Sequence, residues 1–214
     1  MDGLGVKTVT YGVSIRTIAL TLRPTPEQEA LLSRLQAAFN EACNYASAVA
    51  WEQREFRRLG LQELVYRDLR ERFGLLAQQA IRVIAVVADS YRVARDHQHT
   101  FRPDAAVVLD SPRLYRVAHS RAGISTLAGR IQVALDIGGV QRRQLARATK
   151  LGEADLMRDH KGRWRLLVSA HYSDPPLREA TEALGVDLGR TDIAATSDGD
   201  TYSGGHIRFV RDPL

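Results

Sequence analysis

The hydrophobic period of this chain changes twice, and that change constrains the fold more than any other feature. From Val13 to Leu22 the period is two. Ile18, Leu20 and Leu22 alternate with Thr17, Ala19 and Thr21, and Pro24 stops the run. From residue 26 to about 95 the period is helical, and from residue 106 it returns to two. The first strand can join the later ones, which makes the helices an insertion between strands of one barrel. The expected class is α+β.

The helical stretch opens on a clear start signal. Thr25 suits an N-cap, Pro26 suits the first helical position and Gln28 completes a capping box. Leu31, Leu35, Ala38, Ala42, Tyr45 and Val49 follow helical spacing, so a helix is expected to run to about Leu59, with Gly60 ending it. A second is expected over 62–73, closed by Gly74, and a third over 76–95. In the third, Ile81, Ile84, Val87, Ala88 and Tyr91 face a core, while Val83, Val86 and Val93 make it apolar nearly all round. Three such helices with short links form a small antiparallel bundle.

Beyond them, 106–109, 114–118, 124–126 and 130–137 read as short strands. Residues 154–158 and 164–172 flank the hairpin turn Asp159-His160-Lys161-Gly162. Strands at this spacing suggest a barrel or a sandwich. Ser173-Asp174-Pro175-Pro176 reads as a linker. Two more strands follow, 184–188 and 192–196, and Ser197-Asp198-Gly199-Asp200 turns the chain toward a third, 201–203.

Charge is unevenly spread. Of 30 basic residues only Lys7, Lys150 and Lys161 are lysines, and arginine suits bidentate phosphate contacts and stacking on bases. Residues 24–100 are neutral, with 10 basic and 10 acidic side chains. Residues 101–180 carry 14 and 8, and 181–214 carry 3 and 6. Within the basic stretch, 113–150 holds 8 basic residues against Asp136 alone. A basic patch facing phosphate and an acidic one facing metal ions would give this split. Cys43 is the single cysteine, which excludes an internal disulfide framework and a Cys-pair zinc knuckle. No apolar run approaches the roughly 20 residues that span a bilayer, and Met1–Thr10 has no signal-peptide core. A cytoplasmic protein without membrane contact is expected.

The sharpest local signal is Gly185-Val186-Asp187-Leu188-Gly189, followed by Thr191-Asp192-Ile193-Ala194 and Ser197-Asp198-Gly199. An aspartate within an apolar strand is costly to bury as an anion, so it needs a partner, and a divalent cation is a common one. A local turn cap is the plainer reading. Two groups of enzymes carry an aspartate on such a strand: nucleases of the RNase H-like fold, and ATPases of the actin and sugar-kinase type. The second is disfavoured, because their motif opens a long chain and this one lies 27 residues before the end. His97 and His99 lack metal-ligand spacing and read as surface residues.

From about Ile15 onward the chain resembles TnpB, the RNA-guided nuclease of insertion sequences often called a transposase, and its relatives the compact type V CRISPR effectors. The matching pieces occur in family order: Arg23-Pro24-Thr25-Pro26-Glu27-Gln28, Phe39-Asn40 with Cys43-Asn44, Ala77-Gln78-Gln79-Ala80-Ile81, and Gln141-Arg142-Arg143. Then come Gly152-Glu153-Ala154-Asp155-Leu156, Gly162-Arg163-Trp164, the Asp187 strand, and Ser203-Gly204-Gly205-His206.

The resemblance implies an OB-like β-barrel (the wedge domain) over 11–23 and 101–176. It implies an inserted three-helix recognition domain over 24–100, and the first strands of an incomplete RNase H-like (RuvC) domain over 177–214. The implied partners are a guide RNA and a target DNA. Asp187 matches the first RuvC carboxylate, both catalytic and metal-binding. Asn40 and Asn44, four apart on one helix, are expected to face RNA, with Arg142 and Arg143 on phosphate. Gln78 and, by looser alignment, Tyr66 lie near where the family reads the motif beside its target. The chain departs from the family after Asp187. Two-metal hydrolysis needs further carboxylates, and Asp192, Asp198 and Asp200 share one hairpin with Asp187. The expectation is therefore a nucleic-acid-binding part that cuts nothing alone. Mg2+ would bind only if a second polypeptide completed RuvC, and no zinc is expected.

Overall fold

The structure, a computed structural model, describes residues 12–174, 184–189 and 192–203. Pro175-Pro176 of the expected linker, Thr191 and the Gly204-Gly205-His206 piece lie outside these. The described residues fall into two compact units, one covering 12–174 and one holding the later segments.

The first unit is α+β. Strand β1 (Val13–Arg23) is followed by α1 (Pro26–Gln53), α2 (Arg58–Glu71) and α3 (Ala77–Val93). Then come β2 (Val107–Asp110), β3 (Tyr115–Ala118), β4 (Arg121–Thr126), β5 (Gly129–Asp136), α4 (Gly139–Arg147), β6 (Lys150–Arg158) and β7 (Trp164–Ser173). The seven strands form one antiparallel sheet in the order β2-β6-β7-β1-β5-β4-β3. The first strand does join the later ones. It pairs with β7 from Val13↔Ser173 to Thr21↔Arg165 and then with β5 at Thr21↔Asp136 to Arg23↔Ala134. Ile18, Leu20 and Leu22 point inward and are buried.

The two edge strands are consecutive in the chain, only four residues apart, so the sheet curls on itself into a nearly closed barrel. The Tyr115 hydroxyl of β3 donates across the gap to the Gly152 carbonyl of β6 at 2.8 Å. That carbonyl lies where the β6–β7 register shifts between Leu151 and Ala154, a bulge that frees a backbone group from the ladder. Burial pushes the Tyr115 hydroxyl up to about 12, so it stays a neutral donor. At the β6–β7 turn, Asp159 Oδ1 accepts from the Lys161 and Arg163 amides and Gly162 takes φ +73°, a conformation that glycine adopts without strain.

The capping box at Thr25 and Gln28 is present in both directions. Gln28 also donates from Nε2 to the Gln132 carbonyl at 3.0 Å, which ties the start of α1 to β5. The end of α1 differs from the expectation. The helix stops at Gln53 rather than near Leu59, with Arg54 left-handed at φ 52° and its guanidinium 4.0 Å from the Trp51 ring centre. Gly60 then lies inside α2. The early break lets Phe56 fold onto Tyr91, with ring centres 4.5 Å apart, and brings α2 back along α1. The buried face of α1 is Leu32, Leu35, Phe39, Ala42, Cys43, Ala46 and Ala50, whereas Leu31, Ala38, Tyr45 and Val49 are only half-buried. Burial pushes the Cys43 thiol up, which makes it an inert core group. Val93 is exposed, so α3 has one wet side after all. The helices and the barrel share one continuous core that includes Ile18, Phe39, Ile84, Tyr91, Leu109 and Trp164.

Helix α4 was not expected. Its stretch reads as an exposed basic turn because none of its side chains is buried and the apolar stripe reduces to Val140 and Leu145. The signal that marks it is Gln141, whose Oε1 accepts from the Gly138 amide in the manner of an N-terminal cap.

In the second unit, β8 (Val186–Asp187), β9 (Asp192–Thr196) and β10 (Thr201–Ser203) form an antiparallel meander in the order β10-β9-β8. The first strand is two residues long rather than five. Gly199, at φ +95°, turns the chain between β9 and β10. Among the described residues no helix is long and apolar enough to cross a membrane.

Candidate nucleic-acid interface

The basic stretch 113–150 contributes β3, β4, β5 and α4, one end of the barrel sheet and the helix beside it. Its single carboxylate, Asp136, is taken by Arg23 of β1 at 2.7 Å. Its eight cations therefore have no carboxylate partner among the described residues. These are Arg113, Arg116, Arg121 and Arg130 on the sheet side, and Arg142, Arg143, Arg147 and Lys150 on and after α4. All eight are exposed. Elsewhere in the unit nine of sixteen arginines have a carboxylate within 4 Å, as Arg58 has in Asp89, Arg82 in Glu153, Arg158 in Glu29 and Arg163 in Asp159. Three of the eight cations bond to neutral groups. Arg113 donates to Gln78 Oε1, Arg116 to the Pro112 carbonyl and Arg130 to the Arg113 carbonyl. Such bonds orient a guanidinium without cancelling its charge.

Arg142 and Arg143 are both exposed on α4. The helix is held to the barrel by the Tyr172 hydroxyl, which donates to the Gln144 carbonyl at 3.1 Å. After it, the Thr149 amide donates to the His171 carbonyl at 2.8 Å.

Asn40 and Asn44 are not placed to face RNA. Asn40 is 1% exposed. Its Nδ2 donates to the Pro103 and Ala105 carbonyls at 3.3 and 2.9 Å. Asn44 grips Phe101 with both ends of its amide, donating to the carbonyl at 2.9 Å and accepting from the amide N–H at 2.7 Å. Gln36 reaches the Asp104 and Ala105 carbonyls, and Ser47 reaches the His99 carbonyl. The four side chains form one polar row along α1 that supplies hydrogen bonds to the irregular segment 99–105. The helical spacing was legible, but the strand it serves is this protein's own. Leaving a buried group unpaired costs about 1–3 kcal/mol. Asn40→Ala and Asn44→Ala should each lower unfolding stability by about that much in urea titrations while leaving RNA affinity of the folded protein unchanged. Lost RNA binding at full stability would restore the original expectation.

Gln78 is half-buried at the start of α3, held between Asp110 Oδ2 at 3.1 Å and Arg113 at 3.1 Å. It therefore belongs to the same side of the molecule as the sheet cations. Its neighbour Gln79, given no role by the sequence, is fully buried and joins the Leu76 amide to the Ser125 carbonyl of β4. Tyr66, on α2, is half-buried against the hydrophobic core. Asp187 is exposed on β8 opposite Ala195. The burial cost that would have demanded a cation is therefore absent. Among the described residues no group of three histidine, cysteine, aspartate or glutamate side chains could hold a metal, so these residues alone do not fit a two-metal centre. No family profile and no curated protein matches the chain.

Proposed function

We propose that this protein binds nucleic acid through the 113–150 face, as the guide-RNA- and target-DNA-holding part of a TnpB-like RNA-guided nuclease. In this reading the barrel is the OB-like wedge, α1–α3 are the recognition helices and β8–β10 begin a RuvC sheet. One observation carries the reading: eight exposed cations on one stretch, none with a carboxylate partner among the described residues, whereas nine of the sixteen other arginines of the unit have one. Unpaired surface cations repel one another, and a polyanion relieves this by displacing its own condensed counterions. The double variant Arg142→Ala/Arg143→Ala should weaken binding of a structured RNA about tenfold at moderate salt, read by filter binding, with an unchanged melting curve. Unchanged affinity would remove α4 from the interface.

A second reading keeps the enzyme: a metal-dependent DNA endonuclease, with Mg2+, once another polypeptide completes RuvC. It is favoured by the exposed apolar side chains Leu184, Val186 and Leu188 around Asp187, a surface that suits a protein partner. Target DNA incubated with this chain, RNA and Mg2+ should stay intact. Cutting that Asp187→Ala abolishes would show that the chain needs no such partner.

A further inference from the structure

Beside α4 the barrel end holds a pocket of about 560 Å3, within the size range of small-ligand sites. Its walls are aliphatic: Val117 of β3, Ile137 after β5, Leu145 of α4 and Leu151 of β6. Its polar groups, Arg142, His119 and Ser120, are all exposed. The pocket is built on fixed backbone. The Leu135 amide donates to the Ser120 carbonyl at 2.8 Å, pinning the β3–β4 turn to β5. Tyr172 pins α4 on the other side.

An occupant must have a body that fits between aliphatic walls and a negative group that meets Arg142. A nucleotide has both, a flat base with two apolar faces and a phosphate at its edge. A lone apolar acid would also satisfy Arg142, but it leaves Arg143 and Arg147 of the same helix, and Lys150 after it, without counter-charge. A strand that continues past the pocket neutralises them with its next phosphates. We propose that the pocket takes one unstacked base of a bound RNA, with that nucleotide's phosphate on Arg142. The inference rests on the nucleic-acid reading above and adds that one unpaired nucleotide is singled out.

The test compares two RNA hairpins, identical except for one unpaired uridine bulged from the stem. The protein should bind the bulged one about tenfold tighter, about 1.4 kcal/mol, within what burying a base between apolar walls supplies. Ala146→Leu, a helix-compatible change at an exposed wall position, fills the pocket without touching charge. It should bring the bulged hairpin down to the affinity of the plain one and leave the plain one unchanged. Equal, salt-sensitive affinity of the wild type for both hairpins would overturn the pocket and leave the nucleic-acid reading standing. Binding of neither would overturn that reading. The pocket is then decided by methyl NMR with uridine 5′-monophosphate. Shifts confined to Val117, Ile137, Leu145 and Leu151 support it, and silent methyls, or shifts with decanoate only, overturn it.

Discussion

Structured RNA should dissociate from this protein by about three orders of magnitude when salt rises from about 50 to 200 mM. Each single-stranded phosphate contact contributes about 0.7 to the slope of log affinity against log salt. If all eight unpaired cations of 113–150 engage, the slope is about −5.6, and a fourfold rise in salt then costs about two-thousandfold. If only half engage, the loss is about fiftyfold. Reversing Arg142, Arg143 and Arg147 to glutamate should flatten the slope by at least about 2, the contribution of three lost contacts. Arg57 and Arg163, each held by a nearby carboxylate, serve as controls, and their alanine variants should leave the slope unchanged. A salt titration that stays flat for the wild type would sink the electrostatic reading, whatever the fold of the barrel.

The charge behind that expectation can be counted along the sequence, but a count cannot show which of it is free. A basic run can be cancelled by acids from elsewhere, and here one acid nearly did the opposite. Asp136, the only carboxylate of the stretch, is drawn off by Arg23 from a strand more than a hundred residues earlier. Local signals were otherwise good guides where a single interaction decides the outcome. The Thr25 cap, the Asp159 turn and the alternation of Ile18, Leu20 and Leu22 all rest on period or on neighbours within four residues. The misreadings came where a distant element decides. Phe56 ends α1 early because Tyr91 is there to receive it. Asn40 and Asn44 turn inward because segment 99–105 has backbone groups to satisfy. Helix α4 hid because an exposed helix needs no apolar stripe. Asp187 is exposed rather than buried, since burial depends on what covers a strand and not on the strand's own sequence.

Phe39→Ala should destabilise the helices and the barrel together, by about 3–5 kcal/mol. Phe39 is 1% exposed in the shared core, and α1 packs against α2, α3, β2 and β4. Polar ties cross the same boundary. Gln28 bonds to β5, Gln79 to β4, and Arg82 of α3 reaches Glu153 of β6 at 2.7 Å. An inserted helical domain with its own core would lose stability alone, leaving the barrel's transition in place. A unit with one core has no such option, because removing the ring opens a cavity in the core that both share. Two tryptophans separate the cases. Trp51 lies in α1 and Trp164 in β7, so the background variant Trp51→Phe leaves Trp164 to report on the barrel. In that background, the far-ultraviolet helical signal and Trp164 fluorescence should fall at one urea concentration before Phe39→Ala and at one lower concentration after it. If the helical signal moved while the Trp164 transition stayed, residues 24–100 would be a separate folding unit after all. The barrel's stability would then owe nothing to α1, and the polar row that holds segment 99–105 would be the helices' own affair.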